Sequence, residues 1–201
     1  MFTARWLPAL TQEQETCPAT ILIDVHRRKL LLFSDTRLKG SYPVCVGKPK
    51  TPTPVGNWQI SRKALDWGDG FGTRWIGLNV PWGIYGIHGT NKPWSIGRYE
   101  SGGCIRMFNW DVEAVYPQVR PGTPVIIVGD ILRGRTIRQG DNGCDVIEVQ
   151  RVLNRLGFYE GSIDGRFQAK TIAAVREFRK AHGLPLLDDA VDDDVYRLLG
   201  L

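Results

Sequence analysis

The sequence predicts an α+β chain of two modules, a β-rich one followed by a small all-α module of three helices. Three observations carry that reading. Apolar residues come in short strand-like runs up to Val128 and switch to a helical interval from Cys144 onward. All seven Trp lie at or before Trp110. Residues 1–129 hold 15 Lys and Arg against 9 Asp and Glu, a balance of +6, whereas residues 130–201 hold 11 against 12, a balance of −1. A length of 201 residues suits one large domain or two small ones.

The elements follow in order. Residues 1–18 read as an N-terminal extension. Arg5 and Pro8 interrupt its one apolar stretch, so no secretory signal is visible. Ile21 to Val25 and Leu30 to Phe33 are short apolar runs, with His26-Arg27-Arg28 as the turn between them. A third run, Tyr42 to Val46, ends at Gly47. Lys48 to Gly56 contains Pro49, Pro52 and Pro54 and cannot be regular helix, because proline lacks the amide hydrogen and clashes with the preceding turn. Trp58 to Ile60, Trp75 to Leu78, Ile84 to Ile87 and Val125 to Val128 read as further strands. One helix is expected from Asp111, acting as its cap, to about Val119, with Val112, Val115 and Val119 at helical spacing. Residues 130–137 are the linker. In the module from 138 to 201, Val146, Val149, Leu153 and Leu156 form one helical face ended by Gly157. Ile172, Val175 and Phe178 form a second, ended by Gly183 and Pro185, and Val195, Leu198 and Leu199 a short third.

Composition excludes several classes. With 42% hydrophobic and 23% charged residues, the chain is globular rather than disordered. The net charge of +5 is scattered, not gathered into a block that would hold nucleic acid. No apolar run approaches the ~18 residues of a membrane span, so no membrane insertion is expected. A monomer is the expected form. Four Cys are too few for a disulfide scaffold. Cys17, Cys45 and Cys144 read as small apolar fillers. A disulfide among them would fit an oxidising compartment, but sequence does not pair them.

Histidine is scarce. His26 in a turn and His182 at a helix end read as solvated. His88 follows a strand and precedes Gly89-Thr90, and a strand end is a rigid place from which to aim an imidazole. Cys104 lies in Ser101-Gly102-Gly103-Cys104-Ile105-Arg106-Met107, where two glycines permit unusual backbone angles and close substrate approach. The N–H groups of Gly103 and Cys104 could then face a developing oxyanion. Thiols attack as thiolates, and a neighbouring imidazole promotes that form. From spacing alone, a Cys/His nucleophile pair competes with an inert buried cysteine. His88 and Cys104 could also start a metal site, but no further ligand stands at helpful spacing, and neither C-x-x-C nor H-x-x-x-H occurs. No metal or cofactor is therefore expected.

Residues 19–129 resemble the YkuD-type L,D-transpeptidase family. The resemblance rests on Ile87-His88-Gly89-Thr90, on Ser101 to Met107 with Asn109, and on Val44-Cys45-Val46-Gly47-Lys48 followed by Thr53-Pro54-Val55-Gly56. Fifteen residues separate His88 from Cys104. Residues 138–199 resemble the three-helix peptidoglycan-binding domain through Gly140-Asp141-Asn142-Gly143, Asp145-Val146, Gln150, Leu153-Asn154, Leu156 to Tyr159, Ile163-Asp164-Gly165, Phe167, Thr171, Ala174-Val175, Phe178 and His182-Gly183-Leu184. Many relatives carry a second histidine two residues before the cysteine, where this chain has Gly102. Its Asp188 to Asp194 stretch also stands where relatives often show a glycine-rich turn.

The resemblance implies a peptidoglycan L,D-transpeptidase of the cell envelope, acting on stem peptides and glycan. Without a visible signal, a spore-associated setting is a further expectation. Cys104 would attack the carbonyl of the third stem residue with His88 handling the proton, D-alanine would leave, and a neighbouring stem's amine would complete a 3→3 cross-link. The Gly89 carbonyl would orient the imidazole, where a triad uses a carboxylate. Gly103 and Ser101 are assigned to the oxyanion and its loop, and Arg106, Asn109, Tyr85 and Trp94 to substrate. Arg106 either clamps a substrate carboxylate or fixes the loop. Asn109 has a loop-holding alternative, and Tyr85 and Trp94 have a packing one. Two other functions stay open: an L,D-carboxypeptidase, in which water replaces the amine, and a non-catalytic wall-binding protein. A metal-dependent amidase is remoter.

Overall fold

The computed structural model describes residues 18–131, 134–186 and 188–201. Cys17 and the extension before Pro18 lie outside them. The first module is built on an eight-stranded mixed sheet. Its strands are β1 (Ala19–Asp24), β2 (Lys29–Ser34), β3 (Arg37–Pro43), β5 (Gly56–Leu65), β6 (Arg74–Leu78), β7 (Gly86–His88), β9 (Ile105–Arg106) and β10 (Pro124–Val128). Their order is β3-β2-β1-β10-β5-β6-β7-β9. A two-stranded parallel ribbon pairs β4 (Val46–Gly47) with β8 (Tyr99–Ser101). The pairs β1–β10 and β7–β9 are parallel and the other sheet neighbours antiparallel.

Alternation sets the inner face. Ile21 and Ile23 of β1, Leu30 and Leu32 of β2, and Val125 and Ile127 of β10 point to the core and are almost fully buried. Each such side chain contributes roughly 1.5–3 kcal/mol on burial. The expected single run Tyr42 to Val46 is two strands, β3 and β4, split at Val44-Cys45. There Cys45 exchanges backbone hydrogen bonds with Arg106 in both directions at 2.9 Å. The expected helix starts two residues early, as α1 (Asn109–Val115), and tightens into a 3₁₀ turn over Tyr116–Gln118, where Pro117 has no amide hydrogen to continue the ladder. Asp111 sits in its first turn, not at the cap, which is Phe108.

The second module holds α2 (Cys144–Arg155), α3 (Ala169–Ala181) and α4 (Asp193–Leu199). Val146, Val149, Leu153, Val175, Phe178 and Val195 form its core with Phe167 and Val191. Leu156 and Leu198 do not join it: both are largely exposed, Leu156 lying one residue beyond α2. Ile137, read as linker, is fully buried in this core and pairs with Val191. The acidic stretch is tied to arginines. Asp189 takes Arg176 in a two-pronged pair, and the buried Arg179 reaches Asp192 and the carbonyls of Ala190 and Pro185. Asp192 also caps α4 by accepting from the Val195 N–H at 3.0 Å. Among the described residues no helix is long and apolar enough to cross a membrane.

Gln150 is the polar hub of this module. Fully buried, it donates from Nε2 to Asp164 Oδ1 at 3.0 Å, to Thr171 Oγ1 at 3.1 Å and to the Arg166 carbonyl at 3.2 Å, and it accepts from the Gly165 N–H at 2.8 Å. Gln150→Leu would leave the buried Gly165 N–H without its partner and take one bond from each of Asp164, Thr171 and the Arg166 carbonyl, which keep the Arg166 N–H and the Thr171–Arg166 bond. The expected outcome in urea titration is a loss of about 2–4 kcal/mol in the unfolding of this module, since each orphaned buried group costs about 1–3 kcal/mol.

Candidate active site

The site is assembled where β7 meets β9. Parallel pairing sets Ile87 against Ile105 and His88 against Arg106, so Cys104, one residue before β9, lies across from the strand that carries His88. The backbone tie from Met107 N–H to the His88 carbonyl, 2.8 Å, extends the pairing by one residue. The Cys104 Sγ is 3.8 Å from the Ile84 carbonyl oxygen.

The His88 ring is held on three sides. Nδ1 lies 2.5 Å from the Gly89 carbonyl oxygen, so this nitrogen carries the proton of the neutral ring. Trp75, its cross-strand partner, stacks on it at 5.5 Å between centroids and 23° between planes, and Phe71 meets it edge-on at 5.0 Å. Gly89 is required sterically: a Cβ there would stand 2.2 Å from Asn109 Oδ1. That oxygen accepts the Thr90 N–H at 3.0 Å and pins the turn behind the imidazole. Asn109 thus holds the loop, the alternative to its substrate assignment.

Burial dominates the electrostatics. It pushes the His88 imidazole down to about 4, helped by the nearby Arg106 charge and opposed by hydrogen bonds to the Gly89 and Phe71 carbonyls. It pushes the Cys104 thiol up, against the stabilising effects of the Gly86 backbone and the Arg106 guanidinium. At neutral pH the two side chains therefore rest as a thiol and a neutral imidazole.

The loop before the cysteine is fixed by Ser101, which is buried. Its hydroxyl donates to the Cys104 carbonyl at 2.6 Å and accepts the Gly103 N–H at 3.0 Å. This corrects one expectation. The Gly103 N–H is already bonded to Ser101 and is not free to face an oxyanion. Gly103 keeps a structural reason to be glycine, because its φ of +114° is a conformation that side chains disfavour and a Cβ would meet the Tyr85 ring at 2.8 Å. Tyr85 lines a 530 Å³ cleft beside this loop, together with Gly102. Trp94, on a 3₁₀ turn (Pro93–Ser95), is 63% exposed and does not line that cleft. Arg106, half-buried, reaches Ser95 Oγ at 3.4 Å.

Sequence reasoning missed Trp75 and Phe71, whose packing around His88 follows from cross-strand register and from the turn at Gly72, and the Ile84 carbonyl beside the thiol. Only a correct pairing of β6 with β7 would have found the first.

Residues 18–127 match the L,D-transpeptidase catalytic domain family, more than half of the chain, and the protein belongs to that family. Residues 142–199 match the putative peptidoglycan binding domain. Over 113 residues the chain is 42% identical to the putative L,D-transpeptidase YkuD of Bacillus licheniformis, covering 56% of this chain and 67% of the relative. The YkuD protein of Bacillus subtilis is 41% identical over 112 residues, covering 56% and 67%. In fold, the chain is similar to L,D-transpeptidase 3 of Mycobacterium tuberculosis, with a TM-score of 0.50 and 19% identity over 56% of this chain. It spans 61% of that structure.

Two measurements check the site. An NMR titration of the His88 ring should place its midpoint near 4, and a midpoint at 6.5 or above would overturn the dry, neutral imidazole. The unfolded ring takes up its proton near 6.5 and the folded one near 4, so the folded state binds fewer protons in between. This contribution is fully present above 6.5 and drains away as pH falls toward 4, by on the order of 3 kcal/mol, which acid unfolding of wild type against His88→Gln would register. Separately, Asn109→Leu should leave the Thr90 N–H without its partner and slow acylation of Cys104 by about tenfold, because a misplaced base costs rate steeply.

Proposed function

We propose that this chain is a peptidoglycan L,D-transpeptidase of the cell wall that works through a cysteine acyl-enzyme. The observation that carries the reading is the placement of Cys104 and His88 on neighbouring parallel segments, with the Gly89 carbonyl steering the imidazole. His88 Nε2 takes the thiol proton as Sγ attacks the carbonyl of the third stem residue. The bond to D-Ala4 breaks, and D-alanine leaves with the proton from His88. The amine of a neighbouring stem then attacks the thioester, gives up a proton to His88 and restores the thiol, leaving a 3→3 cross-link. The Cys104 N–H is the donor that stabilises the oxyanion. Arg106 lowers the thiol's pKa and disfavours an imidazolium at His88, so it favours loss of a proton from both groups and assists formation of the attacking thiolate. Family membership and the peptidoglycan-binding match support peptidoglycan as the substrate and the wall as the location.

Intact-protein mass spectrometry with a carbapenem and with a disaccharide-tetrapeptide tests the reading. The expected result is a single adduct on wild type, none on Cys104→Ala, and cross-linked dimer among the products. Trimmed tripeptide without dimer would make the protein an L,D-carboxypeptidase. No adduct on folded wild type would leave a wall-binding protein.

A further inference from the structure

The junction of the two modules is a built interface. Cys144, the first residue of α2, contacts the Val55 carbonyl through its Sγ at 3.2 Å. Ile147, one turn on, belongs to the core of the first module. Arg166 Nη2 donates to the Pro81 carbonyl at 2.6 Å. Gly165 lies so close to the Trp82 ring that a Cβ would stand 2.6 Å from it. Trp82 in turn meets Trp58 edge-on at 5.5 Å and Tyr85 at 6.4 Å. The helical module is thus seated on the loop that leads through Ile84 and Tyr85 to His88.

This seating encloses the 530 Å³ cleft, a volume within the ordinary range of ligand sites. One wall comes from the first module, with Lys50, Tyr85 and Gly102, and the other from the segment entering α2, with Asp141 and Asn142. Gly102, which lines the cleft, lies two residues from Cys104. A Cβ on Gly102 would meet nothing within 4 Å, so this side of Cys104 is open where a side chain would narrow it. The lining bears both signs of charge, Lys50 and Arg135 against Asp130, Asp141 and Asp145, with Arg135 paired to Asp145 and, at 3.4 Å, to Asp141. The cleft therefore suits a ligand that itself carries an amine and a carboxylate.

We propose that the intermodule cleft is the binding site for the acyl acceptor, the amine-bearing stem peptide of a neighbouring strand, with the helical module supplying its far wall. The inference rests on the transpeptidase reading above. Asp130 and Asp141, the latter shared with Arg135, hold the acceptor's cationic groups and Lys50 a carboxylate, and its nucleophilic amine enters past Gly102 to reach the thioester on Cys104. Acceptor selection is then a property of the two modules together, and the catalytic module's own surface supplies half of the site.

The experiment follows the ratio of cross-linked dimer to hydrolysed tripeptide made by the full chain from a disaccharide-tetrapeptide, as acceptor concentration is varied. Asn142→Trp fills the cleft from the helical side, and Lys50→Glu reverses the charge on the other wall at an exposed position that tolerates substitution. Each should lower the dimer-to-tripeptide ratio and raise the acceptor concentration needed for half-maximal cross-linking, by about tenfold. The Lys50→Glu effect should shrink as salt is raised. Wild-type cross-linking with an unchanged ratio in both variants would overturn the acceptor site and leave the transpeptidase reading intact. A wild type that forms the adduct but only hydrolyses it would overturn the acceptor site as well. No adduct on wild type would remove the reading on which the proposal rests.

Discussion

Parallel pairing between strands of two and three residues has little strength of its own, yet the register of β7 against β9 decides whether the His88 and Cys104 segments come together. Side chains alternate with a period of two, so a slip of one residue would turn His88 or Cys104 to the opposite face. The register is held from outside the pair. The Met107 N–H bonds to the His88 carbonyl, Cys45 and Arg106 exchange two backbone hydrogen bonds, and Ile87 and Ile105 are fully buried against the sheet. Ser101 closes the loop on the other side of the cysteine by bonding both Gly103 and the Cys104 carbonyl. The geometry around His88 and Cys104 is thus fixed by the backbone of Cys45 and by the hydroxyl of Ser101 as well as by the pair's own bonds.

The same burial that fixes the geometry sets the chemistry. A histidine stacked on Trp75 and edged by Phe71 is poorly solvated, and the charged form is the one that suffers. The Gly89 carbonyl chooses the tautomer without adding a negative charge, which a triad carboxylate would bring. The imidazole is therefore oriented but not made more basic by a full anion. Arg106 acts on both partners in one direction, favouring the thiolate and disfavouring the imidazolium. The pair rests neutral.

Much of this was legible in the sequence where one physical signal dominated. The helical faces of α2 and α3 were read from spacing because one stripe must be buried. The His88 and Cys104 segments were read from their glycines and from the resemblance those residues carry. What was not legible depended on partners distant in the chain. Strands β4, β8 and β9 are too short to show alternation and exist because a neighbour pairs with them. Asp111 has the chemistry of a cap, but Asn109, two residues earlier, is drawn into the helix while its side chain reaches back to Thr90. Gly103 was expected to offer its N–H to substrate, and nothing local announced that Ser101 would claim it. Leu156 fits the helical interval by count, but α2 ends at Arg155, so the interval no longer places it on the buried face.

The module boundary follows the same logic. Composition shifts near residue 130, and the hydrophobic period changes near 144, but neither core stops there. Ile137 belongs to the helical core and Ile147 to the β-rich one, so the two segments cross. A chain that interleaves its cores in this way resists hinging, since separating the modules would expose Ile147, strip Arg166 from the Pro81 carbonyl and uncover Trp82 together. The segment disturbed first would be the one carrying Pro81 to Tyr85, which ends at the thiol through the Ile84 carbonyl. The second module is therefore packed against the segment that sets the Ile84 carbonyl beside the Cys104 thiol.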